Sequence, residues 1–515
     1  MTIYIDGNHL SLKEVEQVAR FNEPVALDPE AESRIQDAHR RLNEIVATDR
    51  AVYGINTGFG IFADRRIPRK DSATLSRNLI ISHAVGTGEP FPREVVRAAM
   101  LIRANTLAKG YSGVRLEIVE TLLEMLNRGV TPLVPSQGSL GSSGDLLPLS
   151  SMALVFTTDE KDEEKMSGWA EFAGEVMSGK KAMELARLPR IRLGPKEGLA
   201  LNNGATFSAA VAALAVCDAE KLLHLSHAAL AMSLEALLGC RSAFDPRIHQ
   251  VRGHPGQVRV AKEVLNLIRG SSLIDLAGRV QDAYSLRCAP QVVGAAWDTL
   301  EFVREIISRE INAATDNPLL FEDGDVLSGG NFHGEPIGMA MDYLAIAMSE
   351  VAAISERRIF RLTDGKLNGG LPPMLVDSVE AAGLNSGLMM PQYTAASLVL
   401  ENQTLSTPDS VHSLPTSGEQ EDHNANSMTA ARHARKVLEN TAHVLAIECY
   451  TAARALDLRL RQYPQAQMGV GTKHFYDLIR AEVPYQPGDA WWGPEIEQVK
   501  RILMEYPIGD VIFSG

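Results

Sequence analysis

The sequence predicts a mostly α-helical protein built around a bundle of long helices, and three observations carry that expectation. The run 205–238 is rich in alanine and leucine and free of proline and glycine; at 1.5 Å per residue it would form a helix roughly 50 Å long. Comparable runs occupy 294–314, 339–362 and 427–458. Their apolar residues cover several helical faces rather than one stripe, the pattern of helices buried in a large bundle or between subunits.

Upstream, helical periodicity begins near Val95 and runs to Gly110, a fitting C-terminal glycine, and a second helical pattern, 116–127, ends before Gly129. Glycine-rich segments of high sequence complexity lie between the helical runs, where rigid elements present loops for chemistry. The acidic stretch TTDEKDEEK (157–165) reads as a solvated loop. The expected organisation is a mixed N-terminal part over 1–200, a long-helix bundle over 201–460 and a small helical part over 461–515.

At 515 residues the chain is long enough for two or three domains. A net charge of −14 argues against nucleic acid, which demands a basic footprint. Four dispersed cysteines, Cys217, Cys240, Cys288 and Cys449, fit a reducing compartment. The opening MTIYIDGNHLSLKEVEQ is acidic and polar where a secretory signal would be basic and then apolar. No apolar stretch is expected to reach the ~20 residues of a membrane helix. A cytoplasmic location, with neither membrane nor nucleic-acid partner, is therefore expected. The histidines show no HExxH or Cys/His spacing and the glycines no GxxxxGK[ST], so neither metal nor nucleotide is expected.

The chemically informative tripeptide is Ser142-Ser143-Gly144, followed by Asp145. Gly144 has no Cβ, so its amide nitrogen can reach the carbonyl carbon of residue 142 and close a five-membered ring. Loss of water there and from Ser143 leaves an exocyclic methylene. The product, a methylidene-imidazolone, is a strong electrophile made from backbone alone. Such a tripeptide by itself is usually a plain turn.

Its context is more specific. GSLGSSGDLLPLS (138–150) closely resembles the GxxGASGDLAPLS signature of the histidine, phenylalanine and tyrosine ammonia-lyases and their aminomutase relatives. YGINTGFG (53–60), LAKGYSG (107–113), KEGLALNNG (196–204), RVQDAYSLRCAPQ (279–291), ATDNP (314–318), SGGNFHGEP (328–336), ISERRI (354–359) and LNSG (384–387) follow in the same family's order. The resemblance implies a helical homotetramer whose active sites each draw on three subunits. It implies that Tyr53 is the base that takes the substrate Cβ proton, and that Ser142, Ser143 and Gly144 form the cofactor. Asn203 would sit beside the ring and the substrate carboxylate, and Arg287 would clamp that carboxylate through its planar fork. Tyr284 and Gln281 would line the same wall, with Phe332 near the methylidene. Taken singly, Arg287 would read as a surface ion-pair partner, Tyr53 as a loop aromatic and Asn203 as a helix cap.

Substrate choice rests on residues facing the ring. Ser82-His83 resembles the histidine and tyrosine enzymes and argues for a polar ring. Gln420-Glu421-Asp422-His423 resembles a run whose glutamate holds an imidazole N–H. However, Asn424-Ala425-Asn426 intervenes before Ser427-Met428, as in the phenylalanine enzymes, and counting back from Ser427 puts His423 at the key position. Three departures from the family pattern surround the site: Ser142 for alanine, Asn202 for an aliphatic residue and Ala205 for threonine. The leading expectation is elimination of ammonia from L-histidine to give urocanate. The alternatives are a tyrosine or phenylalanine lyase or aminomutase, loss of trimethylamine from a betaine such as ergothioneine without the electrophile, and a non-enzymatic relative on the same scaffold.

Overall fold

The computed structural model describes residues 2–48, 52–58, 60–62 and 65–507. Phe59 of the YGINTGFG motif lies outside them. Among the described residues helices dominate and the strands are two to four residues long. The expected long helices are Thr206–Ala236, Ala289–Glu310, Glu335–Thr363 and Ser427–Gln462. Helix Leu116–Arg128 closes on Gly129 at φ +76, the left-handed cap its sequence announces.

Two expectations need correction. Thr157 and Thr158 do not belong to the solvated loop: they form a short parallel pair with Ile191 and Arg192 and are buried. Apolar flanks draw these two residues in, and the charge run proper starts at Asp159. Helix Glu335–Thr363 is also long and apolar enough, by length and composition, to cross a bilayer, and 72% of that apolar window is buried within the protein. Asp342 and Glu350 interrupt its apolar stretch, so inspection for unbroken apolar runs misses it. Burial accounts for its composition.

The chain forms two compact units. The first comprises Met1–Cys217, Arg304–Asp342 and Pro408–Arg432; the second comprises Asp218–Val303, Tyr343–Thr407 and His433–Gly515. In the first, buried charges hold connecting segments to helices. Lys196 and Asp316, both fully buried, pair at 2.6 Å while Ser112 donates to the same carboxylate at 2.8 Å. This ties KEGLALNNG and ATDNP to LAKGYSG, three segments far apart in sequence. Removing one partner of such a pair leaves an uncompensated buried charge. In the second unit, buried Arg358 pairs with buried Glu448, which also accepts from Ser233 and Ser355 at 2.6 Å each.

Candidate functional site

Ser142, Ser143 and Gly144 stand just ahead of helix Leu146–Phe156. Gly144 has φ +74, and a Cβ there would lie 2.2 Å from the backbone carbon of Gly204. Only glycine fits. Asp145 locks the turn from the other side: its N–H donates to the Gly204 carbonyl at 2.9 Å, and its buried carboxylate accepts from Ser139 Oγ and the Ser208 N–H, each at 2.7 Å. Burial lifts that carboxyl above its ordinary range, opposed by the hydrogen bonds from Ser208 and Ser139 and the charge of Arg103.

Asn203 reaches the turn from helix Glu197–Asn202, whose end it caps. Arg103, fully buried, donates to the carbonyls of Asn203 at 2.8 Å and Ala200 at 3.2 Å and to Thr206 Oγ1 at 2.6 Å. So held, Asn203 directs its Nδ2 onto the Ser143 carbonyl at 2.7 Å, and its Oδ1 is left without a partner. A buried acceptor in that state is a natural contact for a ligand.

The turn opens on a cavity of about 1400 Å³ in the first unit, lined by Tyr53, His83, Ser142, Ser143, Asn203, Phe332, Glu421 and His423 among others. Ser143 Oγ donates to Glu421 Oε1 at 2.6 Å. Glu421 is fixed by a two-way backbone bridge to Thr416, at 2.9 and 3.3 Å. The Tyr53 phenol is pushed above its usual value, chiefly by burial and further by the charge of Glu421, against a hydrogen bond with the Gly60 backbone. Burial holds the His83 imidazole below its usual value, opposed by the Leu79 carbonyl and by Glu421. His83 also shares a 2.9 Å hydrogen bond with Ser82 Oγ. Glu421 is thus electrostatically coupled to both rings. His423 stacks on His333, ring centroids 6.0 Å apart and planes 10° apart, and its carbonyl lies 3.1 Å from His333 Nε2.

Gln281, Tyr284 and Arg287 belong to the second unit and are not among the residues lining this cavity. Asp282 orders their segment by accepting from the Cys240 N–H at 2.6 Å and from Arg279 at 2.8 Å. The Arg287 guanidinium lies over the Tyr284 ring at 4.7 Å, Tyr284 is 70% exposed, and Arg287 Nε is buried without a partner.

Sequence reasoning passed over Arg103, which lies in helix Arg93–Ala108, buried from Val95 to its end together with Arg97, Asn105 and Thr106. It also passed over His333, beside Phe332 in a motif already noted, and Asn317, whose side chain grips Ser328 and the Gly329 N–H at 2.9 and 2.7 Å. The second unit brings together His224, His227 and Glu263, with ligand-type atoms within 4.8 Å of one another. His227 lies between Glu263 at 2.5 Å and the Trp297 N–H at 3.1 Å, and Arg259 donates to Glu263 at 3.0 Å. A cation there would meet an arginine already in place.

A mostly helical scaffold presenting a glycine-locked serine turn to a cavity with a phenol, imidazoles and a carboxylate defines a class of lyase for amino acids with aromatic rings. The chain belongs to the aromatic amino acid lyase family, whose model matches residues 10–481. It is 50% identical to a histidine ammonia-lyase of Caldanaerobacter subterraneus subsp. tengcongensis over 484 residues, 93% of this chain and 92% of that protein. The crystal structure of histidine ammonia-lyase from Trypanosoma cruzi matches with a TM-score of 0.90 at 38% identity, covering 99% of this chain and 95% of that one. Ergothionase from Treponema denticola, in complex with desmethyl-ergothioneine sulfonic acid, matches with a TM-score of 0.90 at 30% identity over 100% of both chains.

Proposed function

We propose that the protein eliminates ammonia from L-histidine to give urocanate, using a methylidene-imidazolone formed from Ser142, Ser143 and Gly144. The observation that carries this reading is the Ser143 hydroxyl held on Glu421 within a cavity that also contains His83, in a chain 50% identical to a histidine ammonia-lyase. The residues present fit the electrophile: the positive φ and absent Cβ at Gly144 allow ring closure, and Asn203 already grips the carbonyl of Ser143. When formed, the group supplies an electrophile against which the substrate amine departs. No metal or nucleotide enters this scheme.

Tyr53 takes the proton from the substrate Cβ. Its raised value means that the phenol rests protonated at neutral pH and that the basic form grows as pH rises. Glu421 accepts from the imidazole N–H, with His83 at the same ring and Phe332 against the methylidene. Asn203 and Arg287 hold the carboxylate, and Tyr284 and Gln281 complete that wall.

Arg287, Tyr284 and Gln281 come from other copies of the chain in a homotetramer. The apolar side chains Met339, Tyr343 and Ile346, spaced along helix Glu335–Thr363, are each more than 40% exposed, and Met390, Tyr393 and Leu400 of helix Met389–Leu405 are about 60% exposed. Exposed apolar stripes on long helices are covered by self-association. Light scattering should return about four times the 56.0 kDa chain mass; an active monomer would rule out shared sites. The assembly is cytoplasmic.

A second reading, loss of trimethylamine from a histidine betaine without the electrophile, draws on the full-length likeness to ergothionase. One experiment separates the two. Purified protein should weigh two waters less than its sequence and release urocanate from L-histidine, with tyrosine and phenylalanine poor substrates. Full sequence mass together with turnover of ergothioneine alone would establish the second reading instead.

A further inference from the structure

The hydroxyl of Ser142 is not idle beside the reacting backbone. Its Oγ accepts the N–H of Ala425 at 3.2 Å, and the two residues are 4% and 0% exposed. The residues flanking Ala425 are tied down as well. The Asn424 N–H donates to Ser413 Oγ at 2.8 Å and its side-chain amide to the Leu414 carbonyl, while the Asn426 amide donates to the carbonyls of Asp409, at 3.2 Å, and His412. Asn426 itself is left-handed, at φ +50, so the chain turns sharply just after Ala425. Upstream in the same segment, Glu421 accepts from Ser143. Ring formation consumes the Ser143 hydroxyl and with it that contact, whereas the Ser142 hydroxyl survives it and keeps its grip on the segment at Ala425. A buried N–H stripped of its acceptor bears its full desolvation penalty, so loss of the Ser142 hydroxyl would favour conformations that carry Ala425, and Glu421 with it, away from the cavity wall.

We propose that Ser142 is a positioning residue for substrate recognition, its hydroxyl anchoring Ala425 so that Glu421 is held at the cavity. The proposal rests on the reading of Glu421 as the partner of the substrate ring. The test compares Ser142→Ala and Ser142→Thr with the wild type by intact mass, by amide hydrogen exchange of peptides covering 421–426, and by KM and kcat on L-histidine. Ser142→Ala should keep the two-water loss, speed exchange at Ala425 about tenfold and raise KM about tenfold, with a smaller fall in kcat. Ser142→Thr, which keeps the hydroxyl, should restore exchange and KM. Wild-type exchange and KM in Ser142→Ala would overturn the proposal. Equal defects in both variants would overturn it too, by making size rather than the hydroxyl decisive. Loss of dehydration confined to Ser142→Ala would do the same, placing the hydroxyl in ring closure. A wild type without the two-water loss would instead refute the electrophile, and the exchange comparison would still read the anchor on its own.

Discussion

Ser143→Ala should remove the two-water loss from the intact mass and lower turnover of L-histidine by at least about a thousandfold, with the fold preserved. The size of the effect follows from the chemistry. An α-amino group is a poor leaving group and the Cβ proton is weakly acidic, so positioning Tyr53 cannot by itself drive elimination. Without the Ser143 hydroxyl there is no second water to lose and no exocyclic methylene. The structural cost is small: ring formation already consumes the Ser143 hydroxyl, so the substitution removes only a hydrogen bond to Glu421 that the uncyclised chain makes, worth about 1 kcal/mol net against the 5–15 kcal/mol typical of a folded domain. Gly204, Asn203 and Asp145 grip the turn through its backbone and through Asp145 itself, none of which the substitution touches. An unchanged melting temperature with lost activity is the expected pair of results. A variant that turns over histidine at the wild-type rate would show that the electrophile plays no part.

The sequence made the helices legible because long runs without proline or glycine leave few alternatives. It made the Ser142-Ser143-Gly144 turn legible because Gly144 lies where no other residue fits, and such positions leave a mark in a motif. The tertiary partners of these motifs were less visible. Arg103 acts through three acceptors, on Ala200, Asn203 and Thr206, that lie about a hundred residues downstream, and no spacing in the sequence announces the meeting. The departure at Ser142 was visible, but its partner was not. Only the fold brings residue 425 against residue 142, and it shows that the added hydroxyl meets a backbone donor in the Asn424-Ala425-Asn426 stretch, itself a point where the chain leaves the pattern of the histidine enzymes. The choice between Glu421 and His423 was likewise open in the sequence, because a count of residues along a loop does not say which side chain turns inward. Both line the cavity, but their engagements differ. Glu421 meets Ser143 through its carboxylate, whereas His423 is engaged through its carbonyl and the stacked ring of His333.

That difference sets the last expectation. Glu421→Gln should lower kcat/KM on L-histidine by roughly ten- to a hundredfold, because a charge-assisted hydrogen bond is worth about 1.5–3 kcal/mol and the amide keeps the shape while losing the charge. His423→Gln should do much less, since its carbonyl contact with His333 survives the substitution. The pH profile supplies an independent readout. Burial and the charge of Glu421 both raise the Tyr53 phenol, so the wild-type kcat/KM should climb as pH rises and the basic form of Tyr53 grows. Removing the Glu421 charge takes away one of those two upward pushes, so the rising limb of Glu421→Gln should move to lower pH, while that of His423→Gln stays where it was. A merely structural loss at Glu421 would depress the rate without shifting the limb. If His423→Gln caused the larger loss, the register of the phenylalanine-type enzymes would hold and His423 would be the ring partner. If phenylalanine were turned over efficiently and neither substitution had any effect, the imidazole reading of the cavity would fail altogether.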